Sequence, residues 1–288
     1  MLSLLVALVA QTPLNWKPTA TMSAPAMSEI SGIVQSRKDR DRFWVHNDSG
    51  DKARIFAIRR DGSVIGSRDG TLVEGAKNVD WEDIAYGAGR IWISDLGNNG
   101  NARKDLGVYV VEDFDPVQAT TVRPMKFLPI RYPDQTAFPP PQRHFDSEAI
   151  FVFNGKLHVL TKHRMPSGPL PETGTKLYRL DTEYTDKTNV LTKLDSRDGM
   201  KGWVTAADIS PDGRWLAVLT QFPVASVWIF DTRGVGDKLL SKPARWVAMT
   251  NAKQCEAICF DGSDYLVMTN EQREIFRIKV SQVPAFSR

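Results

Sequence analysis

Only two cysteines occur in the 288 residues, Cys255 and Cys259, both within QCEAICF. On a strand, positions four apart stand roughly 13 Å from one another, beyond disulfide reach. A disulfide-stapled fold is therefore excluded, and the pair is expected to be buried thiols acting as small hydrophobes. An excess of charge is missing too: 37 basic residues against 34 acidic ones leave a net charge of +3 with no basic cluster, so no nucleic-acid partner is expected. The longest apolar run, residues 2–10, is too short for a bilayer span, which needs ~20 residues. It fits the hydrophobic part of an export signal ending at Ala10, although basic residues ahead of it are absent. A buried first strand is the alternative. The first reading implies a periplasmic or secreted protein with no transmembrane segment. His46, His144, His158 and His163 lack zinc-site spacing. No G-x-S-x-G elbow, P-loop or dinucleotide fingerprint is present, and no stretch reads as a strong amphipathic helix.

What the sequence does hold is repetition. One strand pattern recurs as SEISGIV (28–34), DWEDIAY (80–86), FDSEAIF (145–151), TAADISP (205–211) and QCEAICF (254–260). A second follows each time: FWVHN, IWISD, LHVLT, LAVLT and YLVMT. A third follows that: RIFAIRR, GVYVVED, KLYRLDT, SVWIFDT and EIFRIKV. All alternate apolar with polar residues and favour β-branched and aromatic side chains, as strands do. Asn154-Gly155, Asp212-Gly213 and Asp261-Gly262 mark the turns. A fourth, variable strand is expected at SVIGS (63–67), KFLPIRY (126–132), NVLTKL (189–194) and ARWVAM (244–249). The anchors Ile33, Ile84, Ile150, Ile209 and Ile258 are spaced by 51, 66, 59 and 49 residues. Four strands per roughly 50 residues is the signature of a β-propeller. The chain is thus expected to be all-β, one propeller over residues 14–288 with five blades, six being the alternative count. The fifth module lacks a fourth strand of its own, and WKPTATMSA (16–24) is expected to supply it and close the ring.

In such a blade the start of the first strand and the end of the second lie at one end of the channel. That gathers eight acids at one pole: Glu29, Asp80, Glu82, Asp83, Asp146, Glu148, Asp208 and Glu256. Their mutual repulsion requires compensation. Three solutions present themselves. A hard cation such as Ca²⁺ takes oxygen ligands of this kind; Glu29, Asp80, Glu82, Asp83, Asp95, Asp146, Glu148 and Glu256 are the candidate metal ligands. Lys162, His163, Arg164, Arg54 and Arg103 are candidate ion-pair partners. The third solution is a structural clasp, in which acids accept backbone N–H groups of neighbouring blades. Departures from the repeat single out function: Asp83 is added in the second module, Lys162-His163-Arg164 occurs in the third alone, and Ala207 replaces the glutamate in the fourth. Glu82, Asp146, Glu148, Lys162 and His163 are the candidate catalytic groups. Arg54, Arg103, Asn47, Asp48, Asn98, Asn99, Asn270 and Glu271 are the candidate ligand-binding groups. The loop SDLGNNGNARKD (94–105) begins like a calcium-binding EF-hand loop but has Leu106 where a bidentate Glu is required. AFPPPQRHFD (137–146) is a stiff loop or a wall of the funnel beside His144.

Taken together, SEISGIV…FWVHNDSG…RIFAIRRDG, DWEDIAY…IWISDLGNN and FDSEAI resemble a bacterial propeller superfamily that contains the esterase-like phytase proteins and the SdiA-regulated proteins. The resemblance covers residues 28–280 and is carried by Ser31-Gly32, Asp80 to Asp83, Asp146 and Glu148. It implies an exported propeller, often with Ca²⁺, and phosphoester hydrolysis. The expected ligand is a small polar or anionic molecule. The alternatives are a non-catalytic scaffold binding protein or glycan, and a lactonase-type Ca²⁺ propeller.

Overall fold

Each repeated segment folds into an antiparallel sheet whose strands follow one another in chain order. The structure is a computed structural model and describes residues 14–166, 168 and 170–286; the apolar segment 2–10 lies outside them. The innermost strands are Ile30–Gln35, Ile84–Gly87, Arg143–Phe153, Trp203–Ile209 and Cys255–Asp261. Successive inner strands pack side by side, and the fifth packs on the first. The result is a five-bladed β-propeller. Among the described residues its one helical element is the 3₁₀ turn Val280–Gln282.

The isoleucine anchors explain why the blades stack. Each enters a different inter-blade core: Ile33 between blades five and one, Ile84 between one and two, Ile150 between two and three, Ile209 between three and four, and Ile258 between four and five. A side chain of this size contributes roughly 1.5–3 kcal/mol on burial, so one residue per repeat fastens each blade to its predecessor. Cys255 and Cys259 are free and buried in these cores.

The ring closes as the repeat pattern requires. Ala20–Thr21 pairs antiparallel with the last strand, Glu274–Lys279, and becomes the fourth strand of blade five. Leu14–Asn15 adds in parallel to the outer strand of blade four, Pro243–Thr250. Two expected fourth strands differ in detail. SVIGS contributes only Val64–Ile65, and Thr71–Val73 completes the pairing with Arg54–Ile58. NVLTKL divides: Asn189–Val190 pairs in parallel with Ile130 and Arg131 of blade two, while Thr192–Asp198 is the outer strand of blade three. Such short additions cover outer edges that would otherwise expose unpaired backbone groups.

Candidate functional site

Inner strands are sheet edges, so their axis-facing N–H groups lack strand partners and need other acceptors. Their register also breaks near the acid-bearing positions, between Ile30 and Gly32, Asp146 and Ala149, Val204 and Ala206, and Cys255 and Ala257. Bulges of this kind re-aim side chains. At this pole the structure brings together Asp48, Asp80, Glu82, Asp146 and Glu148. One oxygen each from Asp48, Asp80 and Glu82 lie within 4.8 Å of one another, and so do oxygens from Glu82, Asp146 and Glu148. Glu82 belongs to both groups.

Asp146 is fully buried. Its Oδ1 accepts the Asn98 amide at 2.6 Å, whereas Oδ2 accepts no hydrogen bond; the nearest cation to it, Arg164 Nε, stands 3.6 Å away. Burial, with Asp48 and Asp146 adding repulsion, pushes Asp80 up to about 6. The same causes in the same order hold Glu82 well above the usual carboxylate range. Lys162, opposite Asp146 in the strand register, contacts Glu148 Oε1. Burial lowers its ammonium, opposed by Asp146 and Glu82. Lys162 and Arg164 both lie over the Trp203 ring, at 5.1 and 4.6 Å from its centre. Five carboxylates thus meet two cations, an excess of three negative charges when all are ionised.

The other expected residues divide by environment. Glu256 and Glu271 border the cluster, where burial raises both, with mutual repulsion raising Glu256 further and Glu29 and Asp48 raising Glu271. Glu29 is exposed, and its carbonyl accepts the Asp48 amide at 2.8 Å. Asp83 belongs to the clasp. Its oxygens accept the amides of Ile84 and Ile150 at 2.8 Å and Ala207 at 3.4 Å, which occupies the groups a cation would need. Asp208 does the same toward Ile209 and Phe260, each at 2.8 Å. Asp95 pairs with Arg103 at 2.9 Å, and Arg103 also donates to the Gly97 carbonyl at 2.7 Å. Arg54 is engaged by Asp51 at 2.7 Å and the Asp69 carbonyl.

Asn47 and Asn270, both at second-strand ends, make equivalent local bonds. Asn47 donates to Asp51 and the Ala26 carbonyl; Asn270 donates to Glu274 and the Ala252 carbonyl. Asn98 holds the Phe145 carbonyl at 3.1 Å, while Asn99 is exposed. His163 alternates away from Lys162 and Arg164. It stacks on His144 at 3.8 Å and contacts Thr161 Oγ1 at 2.9 Å, in a side cleft of about 400 Å³. His144 accordingly pairs with Glu172 at 2.8 Å and does not line the funnel.

Two residues of the site stand outside the sequence expectations. Trp203 is the aromatic shelf beneath both cations; its signal is an aromatic residue at the head of the module in which Ala207 stands at the glutamate position. Gly97 is the other. A Cβ there would fall far inside van der Waals contact of Glu82 Oε1 and of the Asp80 carboxyl, so the absence of a side chain lets the two acids approach.

No protein family and no curated protein matches the sequence. Among solved structures, a chain of one described as "Crystal Structure of Mitotic Checkpoint Complex" aligns over 97% of this chain and 99% of its own length, at 9% identity and a TM-score of 0.44. Likeness at that level carries no functional weight, and the propeller assignment rests on the sheets themselves.

Proposed function

We propose that this propeller holds a divalent cation, Ca²⁺ by its donor chemistry, in the axial carboxylate cluster and binds a small anionic ligand there. The observation that carries this reading is the buried trio Glu82, Asp146 and Glu148 within 4.8 Å, in which Asp146 Oδ2 lacks any hydrogen-bond donor. A buried carboxylate oxygen without a donor is costly, and hard oxygen donors crowded this closely suit a hard cation. Asp48 and Asp80 extend the donor set outward. A bound ion would polarise a phosphoryl or acyl oxygen and acidify a water. Arg164, oriented by Trp203 beneath it, supplies a planar cation for a phosphate or carboxylate. This arrangement supports the phosphoesterase reading that the sequence resemblance implies, and export to an extracytoplasmic compartment accompanies it.

A second reading, a non-catalytic scaffold, is favoured by Phe222 and Val224, both exposed on the blade-four loop with the Phe222 ring 5.5 Å from Trp203. Thermal melts in EDTA and in Ca²⁺ test the cation. At a hundredfold excess over Kd the gain is ~2.7 kcal/mol, or roughly 5–11 °C. No shift with Ca²⁺ refutes the cation. A phosphomonoester and lactone panel on wild type and Glu148→Ala then separates the chemistries. Turnover that Glu148→Ala removes supports an enzyme, and rates equal to blank leave the scaffold.

A further inference from the structure

We infer that Lys162 is an internal, displaceable counter-ion that competes with the divalent cation for the Glu82–Asp146–Glu148 seat, so that the chain carries its own inhibitor of cation binding. This inference rests on the cation reading above. The Lys162 ammonium contacts Glu148, and both side chains are buried. It reaches only one of the three carboxylates by hydrogen bond, since Asp146 Oδ2 is left without a donor. Even with Arg164 standing 3.6 Å from Asp146, two single charges face three acids and the seat is neutralised incompletely, whereas a divalent ion can serve all three acids at once.

The ammonium would not be stranded on release. The Trp203 face lies 5.1 Å below it, and Asp48 and Glu256 both lie within its electrostatic reach. Leaving Glu148 thus costs one contact while the Trp203 face and the attraction of Glu256 remain. The fixed frame supports a swap of this kind. Asp146 is anchored through the Asn98 amide, and Gly97 leaves room for Glu82 and Asp80 to keep their positions. The consequence is a threshold: the ion must outcompete a tethered lysine, whose effective concentration at the seat is high. A lysine serving only the anionic ligand would behave differently, because its removal would leave cation affinity unchanged or lower it.

Calcium titration calorimetry on the full chain, with thermal melts in parallel, decides the matter for wild type, Lys162→Met and Lys162→Arg. Lys162→Met is expected to bind Ca²⁺ at least about tenfold more tightly, since a unit charge a few ångströms away is removed. It should also be less stable than wild type in EDTA, because buried acids lose their partner, and gain more from Ca²⁺. Lys162→Arg keeps the charge and should bind within about threefold of wild type. Should Lys162→Met fail to fold in EDTA, saturating Ca²⁺ is expected to rescue it, and failure there overturns the inference. Equal or weaker Ca²⁺ affinity in Lys162→Met also overturns it, while wild-type binding leaves the cation site standing. Equal tightening in Lys162→Arg overturns it as well, since charge would not be the cause. No Ca²⁺ binding by any of the three proteins removes the cation site itself, and the competition with it.

Discussion

Replacing Asp83 separates the clasp from the cation site. This carboxylate sits on blade two and accepts amides from blade three, Ile150, and blade four, Ala207, besides its own neighbour Ile84. Asp83→Ala leaves three buried N–H groups on inner-strand edges without their acceptor. A hydrogen bond to a charged group contributes ~1.5–3 kcal/mol, and an orphaned buried donor costs ~1–3 kcal/mol. Against this, the variant no longer desolvates a carboxyl that burial already holds well above its ordinary range. The net expected loss is about 3–5 kcal/mol, at the upper end for single substitutions. For a chain of this size that corresponds to a fall in Tm of roughly 6–20 °C. Urea melts give the free energy directly, and calcium titration of Asp83→Asn, which keeps one acceptor oxygen, gives the affinity. A stability loss with calcium affinity within about threefold of wild type is expected, because Asp83 points at amides and not at the seat. A Tm within about 2 °C of wild type for Asp83→Ala would refute the clasp.

Three further outcomes are expected. Gly97→Ala drives a methyl into the space of Glu82 and Asp80; it should weaken Ca²⁺ binding at least about tenfold while costing ~1–3 kcal/mol, and unchanged affinity in calorimetry would contradict this. Burial lifts Asp208 from 3.8 to about 6 in the folded chain, so its contribution to stability is fully present below 3.8 and is lost as pH rises to about 6. Wild type measured in EDTA across that window should therefore lose up to ~3 kcal/mol relative to Asp208→Asn, and parallel stability curves would count against it. Cys255 and Cys259 are buried and pushed up by that burial, so a thiol reagent should label neither until the chain unfolds; rapid labelling of the native protein, followed by mass spectrometry, would contradict the packing.

The fold was legible because each module repeats one anchor with one job. Ile33 and its four equivalents enter successive inter-blade cores, and that requirement imposes a spacing visible in any linear reading. Outer strands were less legible. Pieces such as Asn189–Val190 pair over two residues with a neighbouring blade, and two residues hold no periodicity. The gathering of Glu82, Asp146 and Glu148 followed from topology, but their roles did not follow from residue type. Asp83 stands one position from Glu82, yet strand alternation and the inner-edge amides turn it to the backbone. The same alternation sends Lys162 and Arg164 to the funnel and His163 to the side cleft. Gly97 was silent because a missing side chain has no chemistry to read.

The sheet that closes the ring joins residues 20–21 to residues 274–275. About 250 residues therefore separate the two partners in the chain and must be made before they meet, and such distant pairings form slowly. Until then blade five has a bare flank, the kind of edge on which another copy can settle. Fusion of bulky partners directly ahead of Leu14 should aggravate that vulnerability more than the same fusion made on a mid-chain loop.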